Sequence, residues 1–88
     1  MRESEVRQAL RKRIMALGGE ERAVAWLGRR NAPDVLALLP GRTKWVETKR
    51  PKKEATEAQA REHERMRLAG CDVCVITTLD ELDEHLPL

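Results

Sequence analysis

A small α/β fold, with a mixed β-sheet flanked by helices in the order α-β-β-β-α-β-α, is predicted by three features of this 88-residue sequence. Apolar residues recur at helical spacing near both ends. Three short β-rich runs separated by Gly or Pro fill the middle, as in an antiparallel meander. A strand–helix–strand pattern then spans residues 43–77, which fits a right-handed crossover between parallel strands.

Taken in order, Val6, Leu10, Ile14 and Leu17 are spaced by four, four and three, predicting an amphipathic helix over Glu3–Leu17. Gly18-Gly19 stops it. Arg22–Leu27 (RAVAWL) is a short apolar strand candidate. Residues Gly28–Pro33 form a basic loop, in which Pro33 blocks helix and Asn31 tolerates a left-handed turn. Asp34–Leu39 (DVLALL) is the second strand, closed by Pro40-Gly41, and Thr43–Lys49 (TKWVETK) is the third. Pro51-Lys52-Lys53 breaks the chain before a helix over Thr56–Leu68, which Gly70 ends. The strand Asp72–Thr77 follows. Thr78 and Glu81 then make a capping box for a last helix carrying Leu79, Leu82 and Leu86.

Length and composition bound the function. Eighty-eight residues make a single domain. A chain this small buries only about 60–65% of its unfolded surface, so pairing into a homodimer is an expected source of stability. No run reaches the ~18–20 apolar residues of a membrane span, and MRESEVRQ lacks the apolar core of a signal peptide, so a cytoplasmic protein without membrane contact is expected. The net charge of +2 conceals an asymmetry: residues 1–53 carry fourteen Lys/Arg against six Asp/Glu, and residues 54–88 carry three against nine. A basic half beside an acidic half suits a polyanionic partner on one face, or a segregated solvated surface.

Cys71 and Cys74 spell CxxC. Their positions at and within a strand point the two thiols apart, and no second Cys/His pair completes a zinc site, so they are expected to be structural. With only Trp26 and Trp45 as aromatics, no stacking platform for single strands is present. Gly-rich phosphate loops and Ser/His/Asp signatures are also missing.

The pattern that carries chemistry is Pro33-Asp34, twelve further residues, then Glu47-Thr48-Lys49. Asp and Glu are hard oxygen ligands for Mg²⁺ or Mn²⁺. Such a cation polarises phosphoryl oxygens and acidifies bound water, and a lysine beside it steadies developing charge. Strand alternation puts Trp45, Glu47 and Lys49 on one face and Lys44, Val46 and Thr48 on the other. The meander brings Asp34 towards Glu47. Glu3 falls within the apolar sector of the first helix, where it is either a further ligand or a residue favoured by the helix dipole.

Gln59, His63 and Met66 share one face of the second helix. Gln59 has two readings, support of the site or the second half of a Thr56–Gln59 capping box. His63 reads as a core-edge histidine. Arg29 and Arg30 precede the aspartate, and Arg50, Lys52 and Lys53 follow the lysine, placing cations where a nucleic-acid backbone would run.

With these residues in view, the chain resembles a stand-alone virus-type replication-repair nuclease (VRR-NUC) domain of the PD-(D/E)xK nuclease superfamily. The resemblance runs through ESEVRQALRKRIMALGG, LGRRNAPDVLALLPGRTKWVETKRP and TEAQAREHERMRLAGCDVCVI. It implies a restriction-endonuclease-like fold and Mg²⁺- or Mn²⁺-dependent phosphodiester hydrolysis. Asp34, Glu47, the Thr48 carbonyl and Glu3 are implied as metal ligands, with Lys49 and Gln59 as catalytic partners. Phage-type members are similar to homodimeric nucleases that act on branched DNA such as four-way junctions. Two positions depart from the pattern: Asn31 stands where glycine is usual, and Thr48 where an aliphatic residue is usual. A non-catalytic binder of branched DNA on the same fold is the second reading.

Overall fold

The structure, a computed structural model, describes residues 1–88. Its elements are α1 (Glu3–Ala16), β1 (Glu20–Ala23), β2 (Val35–Leu39), β3 (Arg42–Thr48), α2 (Glu57–Leu68), β4 (Val73–Ile76) and α3 (Leu79–His85). The sheet order is β1-β2-β3-β4. The first three strands are an antiparallel meander, and β4 joins β3 in parallel after the α2 crossover. The expected order and the mixed sheet are therefore both present.

Local chemistry explains the turns. Leu39 pairs with Arg42, leaving Pro40 and Gly41 as a two-residue connection with Gly41 at φ 77°. Pro followed by a residue of positive φ is the type II turn sequence. Asn31 at φ 66° takes the left-handed conformation that asparagine tolerates, so its departure from glycine leaves the fold intact. Gly19 matters for close approach: a Cβ there would lie 2.3 Å from the Leu38 carbonyl oxygen, where α1 turns back onto the sheet.

Alternation divides the sheet into two unlike faces. Val35, Ala37 and Leu39 of β2, Val46 of β3, and Cys74 and Ile76 of β4 point to one side. There they pack against Val6, Leu10 and Ile14 of α1 and Leu82 and Leu86 of α3. Full burial of side chains such as Leu10 and Ile14 contributes about 1.5–3 kcal/mol each. Lys44 is buried on this side too. Its Nζ donates to the His85 carbonyl at 3.0 Å and lies 3.6 Å from Asp72, tying α3 to the sheet. Arg13 adds a second tie, donating to the Leu86 carbonyl at 2.8 Å. The opposite face carries Trp45, Glu47, Val73 and Val75, with His63 and Met66 of α2 beside it.

One expected element is displaced. The first strand runs over Glu20–Ala23, not Arg22–Leu27. The Val24 N–H still donates to the Asp34 carbonyl at 2.9 Å, but the chain then leaves the ladder and Trp26 is held elsewhere: its ring lies 5.0 Å from Trp45, and its Nε1 donates to the Pro33 carbonyl at 2.8 Å. The charged sequence EERA is tolerated in β1 because β1 is an edge strand. The two cysteines diverge as expected, with Cys71 half-buried in the turn and Cys74 in the core. Burial pushes the Cys74 thiol up to about 11.

Candidate active site

The site forms where β2 begins, β3 ends and α1 starts. Asp34 lies one step beyond the Val35–Val46 pair of the antiparallel ladder, which places it across from Glu47. The two residues therefore face each other across the ladder as a consequence of the Pro40-Gly41 turn, whose length fixes that register. Glu3, Ser4 and Arg7 of α1, together with Asp34, Glu47 and Thr48, line an open depression of about 360 Å³. Glu3 and Arg7 reach it together because residues four apart share a helix face. Glu5 is held elsewhere, accepting from the Arg2 backbone N–H at 3.0 Å and the Arg2 Nε at 3.3 Å.

The electrostatics single out Glu47. Its side chain is only 12% exposed. Burial raises its pKa to about 7; Lys49 opposes the shift, while the charges of Asp34 and Glu3 add to it. Lys49 follows β3 directly, and its backbone N–H donates to the Ile76 carbonyl at 3.0 Å, anchoring the end of β3 to β4. The residues that influence Glu47 are thus the same Asp34, Glu3 and Lys49 singled out from the sequence.

Gln59 is engaged in its capping box. Its Oε1 accepts from the Thr56 N–H at 2.9 Å, and its own N–H donates to Thr56 Oγ1 at 3.1 Å. Arg29 is also engaged. Its guanidinium donates to both oxygens of Glu62, as close as 2.6 Å, and Arg65 donates to the same carboxylate. Those bonds, Arg29 first, hold the Glu62 carboxyl below the usual carboxylate range although burial opposes them. Arg30, Arg50, Lys52 and Lys53 make no such pairs and stay accessible, apart from the Lys53 N–H bonding the Arg50 carbonyl within the turn. Lys52 and Lys53 also border a second depression of about 400 Å³, with Glu54, Val75, Thr77 and Glu81 on its walls.

Two contributors were not visible from the sequence as site residues. Arg7 lines the depression and is oriented by Glu21 at 2.8 Å. Its position four residues after Glu3 was the available signal. Glu62 had no sequence signal, because its partner Arg29 lies 33 residues away.

The donor set suits a hard divalent cation. Asp34, Glu47, Glu3 and the Thr48 carbonyl offer oxygen only, the preference of Mg²⁺ and Mn²⁺. Mutual repulsion among the carboxylates is what a cation relieves. The carboxylates stand apart, however: no three His, Cys, Asp or Glu side chains converge closely enough to hold a metal by themselves. A backbone oxygen or water would therefore have to share in coordination.

A mixed sheet with an acidic pair across one hairpin and a lysine at the strand end defines the PD-(D/E)xK class. No protein-family model matches the chain. Protein p44 of Acyrthosiphon pisum secondary endosymbiont phage 1, assigned as a nuclease, is 35% identical over 88 residues, covering 99% of this chain and 94% of that protein. A solved VRR-NUC domain superposes with a TM-score of 0.85 at 37% identity, covering 93% of this chain and 90% of that one. The chain belongs to the VRR-NUC family, phage type.

Proposed function

We propose that this chain is a Mg²⁺- or Mn²⁺-dependent DNA endonuclease that cuts branched DNA, such as four-way junctions, as a homodimer. The observation that carries the reading is that Glu3, Asp34, Glu47 and Thr48 line one depression, with the Lys49 charge acting on Glu47. A PD-(D/E)xK site needs these groups together, and surface charge alone gives no reason for a half-buried glutamate to face two other carboxylates. A bound divalent cation would supply Lewis acidity to the scissile phosphate and lower the pKa of water.

The chain's own residues do the rest. Asp34, Glu47 and the Thr48 carbonyl would hold the cation, with Glu3 completing the set. Lys49 places an ammonium beside Glu47, where it orients the attacking water and offsets charge developing on the phosphate. Gln59, whose Oε1 is used by the cap, keeps its side-chain N–H donors for supporting that water. Arg30, Arg50, Lys52 and Lys53 hold the backbone through phosphate, without reading bases. Arg29 contributes indirectly, fixing the basic loop against α2 through Glu62. A two-fold homodimer would present two such sites to a two-fold substrate, which suits paired cuts across a junction.

The test is incubation of purified protein with four-way, splayed and linear DNA in Mg²⁺ or Mn²⁺, beside a measured solution mass. Cleavage of the four-way substrate by a dimer is expected, with a loss of about 100-fold or more in Lys49→Ala and Asp34→Ala. Full cleavage by either variant would refute the site. Binding of branched DNA in EDTA without cleavage in any divalent ion would instead favour a non-catalytic binder.

A further inference from the structure

His63 is the one buried group near the site with no task in the scheme above. It lies on α2, its side chain is 2% exposed, and its Nε2 stands 3.6 Å from Glu47 Oε1. That Nε2 is the only buried side-chain nitrogen or oxygen in the protein without a hydrogen-bond partner. An unpartnered polar atom in the interior carries a desolvation penalty that packing alone does not justify.

Its direction is fixed. Glu62, the preceding residue, is held by Arg29 from the basic loop outside α2, a tie that favours one rotation of α2 about its axis. Met66, one turn on, is buried on the same side. At 2% exposure the imidazole is enclosed on that side, next to Glu47. The 3.6 Å separation is longer than a hydrogen bond, but a small rotation of the Glu47 carboxylate closes it. Catalytic contacts of this kind are often long before substrate or ligand is bound.

We propose that His63 is a positioning residue for Glu47: from α2 its buried imidazole fixes the orientation in which the carboxylate presents its oxygens to a divalent cation. The role rests on the reading of Asp34 and Glu47 as metal ligands. Partners that orient a ligand in this way typically change metal affinity by 10–100-fold when removed. A histidine serving only to fill the interior would instead influence stability and leave affinity alone.

The experiment measures the Mn²⁺ dissociation constant of the full chain, without DNA, by isothermal titration calorimetry, with folding followed by circular dichroism. Four variants are compared with wild type: Asp34→Ala, His63→Gln, His63→Asn and His63→Leu. Glutamine can place its amide nitrogen close to the position of Nε2, asparagine stops short of it, and leucine fills the volume without a polar atom. The expected result is loss of binding in Asp34→Ala, affinity within about threefold of wild type in His63→Gln, and weakening of about 10–100-fold in His63→Asn and His63→Leu. Should leucine fail to fold, the asparagine variant carries the comparison. The role is overturned if every folded His63 variant binds as wild type, or if glutamine loses as much as asparagine. Wild-type affinity in Asp34→Ala overturns the ligand assignment itself, and the role of His63 with it.

Discussion

Glu47 has a folded pKa of about 7 against an ordinary value of 4.5, and burial is the main cause. Between those values the metal-free folded protein keeps a proton that the unfolded chain has released. The contribution is fully favourable below about 4.5 and is lost as pH rises through about 7. Glu47→Gln removes this titration. In EDTA, the variant should gain on wild type in urea midpoint as pH is raised from 5 to 8, and parallel pH profiles for the two proteins would contradict the assignment. Glu62 acts in the opposite sense, since Arg29 lowers its pKa. Its contribution is present above the ordinary carboxylate value and disappears only as pH falls through its lowered one, so the two effects occupy different pH ranges.

At the scale of elements, α2 combines a structural start with a face turned to the site. Thr56 and Gln59 form a reciprocal cap, and loss of the threonine hydroxyl in such a cap costs about 1 kcal/mol. Glu also completes a capping box, so Gln59→Glu should unfold within a degree or two of wild type. It lacks the side-chain amide donors, however, and its nuclease rate should fall if those donors support the attacking water. Unchanged cleavage kinetics in a stable Gln59→Glu would confine Gln59 to the cap. The first helix was legible because period 3.6 is clear in Val6–Leu10–Ile14, and the last three strands because DVLALL, TKWVETK and DVCVIT are short β-rich runs bounded by turn or helix-stop residues. The first strand was not, since RAVAWL has strand composition but Trp26 is captured by Trp45 and the Pro33 carbonyl. The acidic residues of the depression were readable from spacing. The engagement of Arg29 was not, because it requires a tertiary partner on α2 that no local pattern announces.

For the whole molecule, the distribution of paired and unpaired cations makes a quantitative expectation about DNA. If Arg30, Arg50, Lys52 and Lys53 each neutralise a phosphate, the logarithm of the binding constant should fall with the logarithm of salt at a slope of about −3.6 per chain on duplex DNA. Removal of Arg30 should reduce that slope by about 0.9, whereas Arg29→Ala should change it less, because Glu62 already neutralises Arg29. Equal changes for the two arginines, measured by fluorescence anisotropy across a salt series, would contradict the division. The two faces of the sheet divide labour in a similar way. One holds Val6, Leu10, Ile14, Val46 and Ile76 in a continuous apolar core, and the other carries Glu47, Lys49 and the groups around them. The consequence is evolutionary. Because the core is built on the far side of β3, a lineage can exchange Glu47 without dismantling the scaffold, and relief of its repulsion with Asp34 and Glu3 would even favour the altered fold. A duplicated copy could thus drift in one step from cutting DNA to merely holding it, with its basic loops unchanged.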